Sequence, residues 1–208
     1  MKKRNKEVTR KQILDTALEK FAEKGFDAAS ISQIAKAADI NQALIYYYFE
    51  NKQAMLDELL DTFINTANGF LVDIATNGYA YGSPEMMQQM EKYNAHIIRN
   101  EKTLRLLLTE SMKDRYETPP IFRMIDFGAD GLNEQQVMQQ MNERGFNFDQ
   151  DDQQRKVTEF FTGIMPMVVF SLFKDKWGKH FGVTQQELFQ LFTRAEEKTH
   201  ATHHEDEA

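Results

Sequence analysis

The sequence predicts an all-α chain of about nine helices. Apolar residues recur at helical spacing through most of the 208 residues. No alternating run bounded by hairpin turns is found, so strand signals are almost absent. Ser, Asn, Asp and Thr stand where helices should start, and Gly or Pro where they should stop.

The first helix is read from Val8 to Lys24, on a stripe of Ile13, Leu14, Ala17, Leu18 and Phe21, with Gly25 at its C-terminal cap. Ser30 caps a second, short helix ending near Ala37, and Asn41 caps a third from Gln42 to Tyr48. Asn51 opens a long fourth helix reaching Ile74, and Thr76 to Ser83 reads as a loop. Ser83-Pro84 starts a helix to Arg99, because proline suits the first helical position. Another runs from Lys102 to Arg115, before Thr118-Pro119-Pro120. Residues 119–144 are helical in composition with an interruption near Gly128–Gly131, and Gly145 to Asp149 is a loop. Asp151 or Asp152 opens a helix to Trp177, kinked at Pro166. Thr184 and Glu187 have capping-box spacing and begin a last helix ending near Lys198. The polar tail, 199–208, is read as disordered.

Apolar residues make up 41% of the chain, enough for a core. The absence of cysteine excludes disulfides, thiolate metal sites and cysteine nucleophiles, and fits a reducing cytoplasm. The basic start, Met1 to Lys6, is followed by polar residues and does not read as a signal peptide. The most apolar window, Phe160 to Phe173, holds a Gly, a Pro and a Ser and reads as too short for a membrane span. Net charge is −7, unevenly spread: residues 1–52 carry ten Lys/Arg against seven Asp/Glu, the remainder fifteen against twenty-five. A basic end on an acidic body would orient the chain on a polyanion.

The residues of the second and third helices carry the functional signal. Ile31, Ile34, Ala35 and Ala38 can face inward, Ile40 can plug the turn, and Ile45 and Phe49 can close the core. A two-turn helix cannot hold itself together in water, so the third must be braced, as a helix-turn-helix braces it to enter a groove. Its outer face reads Asn41-Gln42-Ala43-Leu44, then Tyr46-Tyr47-Tyr48. Gln and Asn can read adenine edges, and Ala and Leu can pack on thymine methyls. Tyrosine hydroxyls can bind phosphate oxygens, and three consecutive aromatics cannot all face one side of a helix. The helix starts at Ser30, Asn41 and Asn51 offer N–H groups to phosphates, with Ser32 and Gln33 on the second helix and the cation Lys52 beside them.

These residues resemble the DNA-binding domain of the tetracycline-repressor (TetR) family. The likeness starts with Arg10-x-x-Ile13-Leu14-x-x-Ala17-x-x-x-Phe21-x-x-x-Gly25-Phe26. It continues through Ser30-Ile31-x-x-Ile34-Ala35-x-x-Ala38 and Ile40-Asn41, then Ile45-Tyr46-x-Tyr48-Phe49-x-x-Lys52-x-x-Met55-Leu56. The resemblance implies DNA contacts at Ser30, Ser32, Gln42, Ala43, Leu44, Tyr46, Tyr47, Tyr48 and Lys52. Two departures stand out. Asp39 occupies a turn position where the family usually has Gly, and Asp tolerates left-handed backbone. Ala43 and Leu44 replace the usual Gly or Pro, then Thr or Ser.

The resemblance further implies a helix-turn-helix domain at 7–67 and an effector-binding and dimerisation domain at 68–198. It implies a homodimer on a pseudo-palindromic operator of double-stranded DNA, with recognition helices about 34–36 Å apart. Dimerisation would use the last two helices, with Val157, Phe160, Phe161, Ile164 and Val168 on one, and Leu188, Leu191, Phe192 and Ala195 on the other. Nine of the eleven methionines fall at or after Met86, and aromatics are frequent there, which suits an adaptable apolar pocket. Candidate pocket residues are Phe63, Met86, Met90, Tyr93, Leu107, Met112, Phe122, Phe127, Met165 and Met167, for an apolar or aromatic small molecule. The family mechanism is a population shift in which effector swings the fourth helix and releases DNA, with repression the default. No cofactor, metal or membrane partner is expected; His200, His203 and His204 beside acidic residues read as a solvated tail. No phosphate loop, nucleophile elbow or metalloprotease motif points to an enzyme. A helical small-molecule-binding or interaction protein without DNA binding is the alternative.

Overall fold

The computed structural model describes residues 2–80, 82–125, 134–145, 151–200 and 202. Phe127, Gly128–Gly131, His203 and His204 lie outside the described residues. Among the described residues there are helices and no strands. They are α1 (Lys2–Lys24), α2 (Ile31–Ala37), α3 (Gln42–Tyr48), α4 (Lys52–Asn77), α5 (Pro84–Arg99) and α6 (Glu101–Ser111). A 3₁₀ turn (Pro120–Met124) and α7 (Glu134–Asn142) follow. The long α8 (Asp152–Phe181) and α9 (Gln185–Glu197) complete the described helices. The chain divides into two compact units: Met1–Ile64 with Lys102–Pro120, and Asn65–Glu101 with Ile121–Ala208.

In the first unit the apolar stripe of α1 faces the core, with Leu14 and Leu18 half-buried at its edge. Ile13, Ala17 and Phe21 are buried together with Ile34, Ile45, Phe49, Met55 and Leu56. α1 starts at Lys2, six residues before Val8, where the sequence places its start. Leu104 and Leu107 of α6 add two buried side chains to this unit. α6 ends at Ser111, short of Arg115, where Lys113 and Arg115 turn to Asp27 instead.

In the second unit, Ile74, Met86, Val137, Met138 and Met141 form one buried cluster, with Leu71, Tyr79 and Met90 packed against it. α8 runs through Pro166 without a break. It widens to a π-helical stretch at Glu159–Ile164, where the Met165 N–H reaches back to the Phe160 carbonyl. A proline has no N–H to return to the preceding turn, and the wider turn accommodates that loss. α8 is long and apolar enough to cross a bilayer by length and composition alone, so the window read as too short in the sequence extends further than its apolar core. Its inner face, with Ile164, Met167, Val168 and Leu172, is buried in this unit. The C-terminal stop is sharp: Gly182 adopts φ +69, and the Val183 N–H bonds the Gly178 carbonyl. A Cβ on Gly178 would lie 2.7 Å from the Val183 oxygen, so this return requires glycine.

The start of the polar tail is tied down. Thr199 and His200 both donate backbone N–H groups to Glu196, and the His200 ring nitrogen Nδ1 lies 2.9 Å from the Thr162 hydroxyl. His200 also sits 3.7 Å from the Glu159 carboxylate.

Candidate nucleic-acid interface

The outward face of α3 is built by caps and braces on both sides. The Ser30 hydroxyl accepts the Gln33 N–H and the Gln33 amide accepts the Ser30 N–H, a reciprocal box that fixes the entry to α2. The Gln12 side chain of α1 donates to the Ala38 carbonyl at the end of α2, at 3.0 Å. The turn then passes through Asp39 at φ +54, the left-handed residue that the family usually fills with Gly. The Ile40 N–H returns to the Ala35 carbonyl, and the Asn41 side chain accepts the Leu44 N–H at 2.8 Å to start α3. Ile45 is fully buried beneath.

With that seat fixed, Ser32, Asn41, Gln42 and Ala43 are exposed, and Leu44 and Tyr48 are half-buried. Tyr46 and Tyr47 are 55% and 67% exposed and hence available for contact. Ser30 and Gln33 are occupied by their mutual cap.

Lys52 takes a different place from the one its sequence position suggests. Its ammonium donates to three backbone carbonyls, Phe26 at 2.7 Å, Ala29 at 2.9 Å and Asp27 at 3.2 Å. All three protons of the ammonium are used within the unit. The Phe26 ring beneath them also faces Arg115 at 4.8 Å. Around it, Asp27 accepts from Lys113 and Arg115, and both cations also bind Glu110, whose side chain is 2% exposed. The Lys113 hydrogen bond is the main cause holding the Asp27 carboxyl below the usual carboxylate range. This network escaped the sequence reading because its members lie 86 and 88 positions apart.

The candidate pocket residues fall in both units. Phe63, Leu107 and Met112 belong to the first, and Met112 is 77% exposed. Met86, Met90, Tyr93, Phe122, Met165 and Met167 belong to the second. There Met86 and Met90 join the Ile74 cluster, and Phe122 stands edge-on to Phe160 at 5.3 Å. Burial pushes the Tyr93 hydroxyl up, with Glu196 and Glu159 adding to it.

The residues suggested for dimerisation also separate. Phe160, Ile164, Val168 and Leu188 face the core of their own unit. Phe192 stacks on Phe170 at 4.3 Å, while Val157, Phe161, Leu191 and Ala195 are exposed. The sequence reading missed Val169, Phe173, Trp177 and Phe181, each about half exposed on α8. Their spacing of four from Phe161, through Met165, was the available signal.

The fold and this braced, outward-facing short helix define an all-helical helix-turn-helix protein. Residues 13–59 match the family described as bacterial regulatory proteins, tetR family. The chain is 33% identical over 82 residues to the probable HTH-type transcriptional regulator YttP of Bacillus subtilis, covering 39% of this chain and 40% of YttP. It is 36% identical over 69 residues to the HTH-type transcriptional repressor KstR2 of Rhodococcus jostii, covering 33% of this chain and 34% of KstR2. The chain thus aligns with well under half the length of these relatives. Among solved structures, the SmeT–triclosan complex shares the fold with TM-score 0.64 at 15% identity, over 96% of this chain and 93% of SmeT. Through residues 13–59, the N-terminal helices of the chain are similar to the tetR family of bacterial regulatory proteins.

Proposed function

We propose that this chain is a cytoplasmic, homodimeric transcriptional regulator that binds a pseudo-palindromic operator and is released from it by a small molecule. The observation that carries this reading is the exposed face of α3, with Gln42, Tyr46 and Tyr47 held outward over the fully buried Ile45. Gln42 is the reader of a base edge, and Ala43 and Leu44 offer apolar contact to thymine methyls. Tyr46 and Tyr47, with Ser32 and Asn41, hold the phosphates. Lys52 contributes by fixing the loop before α2. KstR2, a repressor, supports repression as the sign.

The second unit is the effector-binding and dimerising part of this reading. Its apolar stripe along Phe161, Val169, Phe173 and Trp177, with Leu191 on α9, supplies a surface for a second copy. The methionine-lined cluster around Met86 supplies adaptable apolar lining. SmeT, which shares the fold, is known in complex with triclosan, and that favours an apolar or aromatic effector here.

The test is selection of bound fragments from a pool of genomic duplexes, followed by a screen of small molecules for release. Recovery of two-fold-related sites with a steep salt dependence is expected. A chain that retains no duplex at low salt sinks the reading.

A further inference from the structure

Six cations of the first unit are used internally. Arg10, Lys11, Lys20, Lys102, Lys113 and Arg115 each meet a carboxylate of that unit. Lys6 does not follow this pattern. Its exposed ammonium lies 5.1 Å from the centre of the Tyr47 ring, so its stem is steered to the outward side of α3 by an aromatic face and its charge is not neutralised there. It closes a run, Lys2-Lys3-Arg4-Asn5-Lys6, that holds four cations and no acid. The backbone of that run is helical from Lys2, continuing α1 past Lys6 by about 6 Å at 1.5 Å per residue.

We infer that Lys6, seated on α3 through the Tyr47 ring, forms a second contact with the phosphate backbone of duplex DNA, flanking the groove that α3 enters. This rests on the regulator reading and names a part of the interface that lies outside the helix-turn-helix. The partner is the phosphodiester chain and not a base edge, because a lysine held over an aromatic ring offers a point charge without bidentate geometry. Charge complementarity and continuity with Tyr47 together favour this occupant. An acidic protein surface would need no duplex, and its preference over DNA is one outcome of the test.

The experiment measures binding of the full chain to an end-labelled random-sequence duplex and to a duplex recovered by selection, across a salt series. Each phosphate contact contributes ~0.9 to the slope of log K against log salt, so Lys6→Gln should lower it by ~1.8 for a dimer. The affinity loss should be equal on both duplexes, widen as salt falls and close toward high salt. Lys6→Arg should retain the slope, and Tyr47→Leu should lose part of it by unseating the charge. A Lys6→Gln slope equal to wild type overturns the inference, as does a loss confined to one base position. Undiminished duplex binding by Lys6→Gln with lost binding to a polyglutamate chain also overturns it, in favour of an acidic partner. If the wild-type chain binds neither duplex, the regulator reading falls and this inference with it.

Discussion

The Lys52 ammonium lies 4.4 Å from the centre of the Phe26 ring while donating to the Phe26 carbonyl at 2.7 Å. One residue thus satisfies the end of the loop and covers its aromatic anchor. Hydrogen bonds from a charged donor contribute about 1.5–3 kcal/mol when a partner is removed from a part-buried site. Lys52→Met should therefore destabilise the chain by about 2 kcal/mol in urea unfolding. Lys52→Arg should rescue little, because a planar fork cannot aim at three converging carbonyls. Unchanged stability with lost DNA affinity would return Lys52 to a direct phosphate role.

Asp27 links the same loop to Lys113 and Arg115. Its carboxyl is held low by the Lys113 hydrogen bond and by nearby positive charge, so its stabilising contribution is present above about pH 4 and disappears as pH falls through the lowered value. Asp27→Asn should be less stable than wild type at pH 6, with the gap closing by pH 2, read as melting temperature against pH. Glu196 works in the opposite direction. Burial raises its pKa, so its contribution is lost as pH rises through that raised value. Glu196→Gln should melt higher than wild type at neutral pH. Parallel curves for Asp27→Asn and wild type would contradict the linkage.

Gln42 and Tyr46 separate the two kinds of DNA contact. Gln42→Ala should relax preference at one base pair of each half-site by roughly 1–3 kcal/mol. Tyr46→Phe should weaken binding to all sequences alike, because phosphates carry no base code. Both are read from an operator library. An unchanged preference for Gln42→Ala, or a selective loss for Tyr46→Phe, would exchange or remove these roles.

Trp177 and Phe173 tilt the oligomeric state. Both are 51% exposed on one side of α8. Trp177→Glu combined with Phe173→Glu should convert the chain to a monomer in sedimentation while leaving its helical signal intact. Operator affinity should fall by two or more orders of magnitude, since the second half-site is no longer engaged intramolecularly. A dimer that survives both charges would place the interface elsewhere.

The helices were legible wherever a cap and an apolar stripe coincide. Ser30, Asn41, Asn51, Ser83, Asp151 and Thr184 each accept a backbone N–H at a helix start, as their sequence positions suggest. The outward face of α3 was legible because Ile45 and Phe49 fix its inside. The extent of α1 was not, since Lys2 to Lys6 carry no apolar period. On α8, Val157 and Phe161 of the suggested interface are exposed while Phe160, Ile164 and Val168 are buried, a division that a uniform helical period does not encode where the helix winds more slowly at Glu159–Ile164. The destination of Lys52 depends on a loop 23 to 26 positions away, which no local pattern encodes.

The π-helical stretch acts as a phase shifter for everything that follows it. Each residue of an α-helix advances the side-chain direction by about 100°. Were the same residues of Glu159–Ile164 wound as an ordinary α-helix, with none removed, Phe173, Trp177 and Phe181 would be rotated by roughly that angle about the axis. The aromatic ridge would then point toward what is now the interior, and Val168 and Leu172 would emerge in its place. One peptide unit, placed a full turn before Pro166, therefore decides which side of the distal half of α8 the solvent meets.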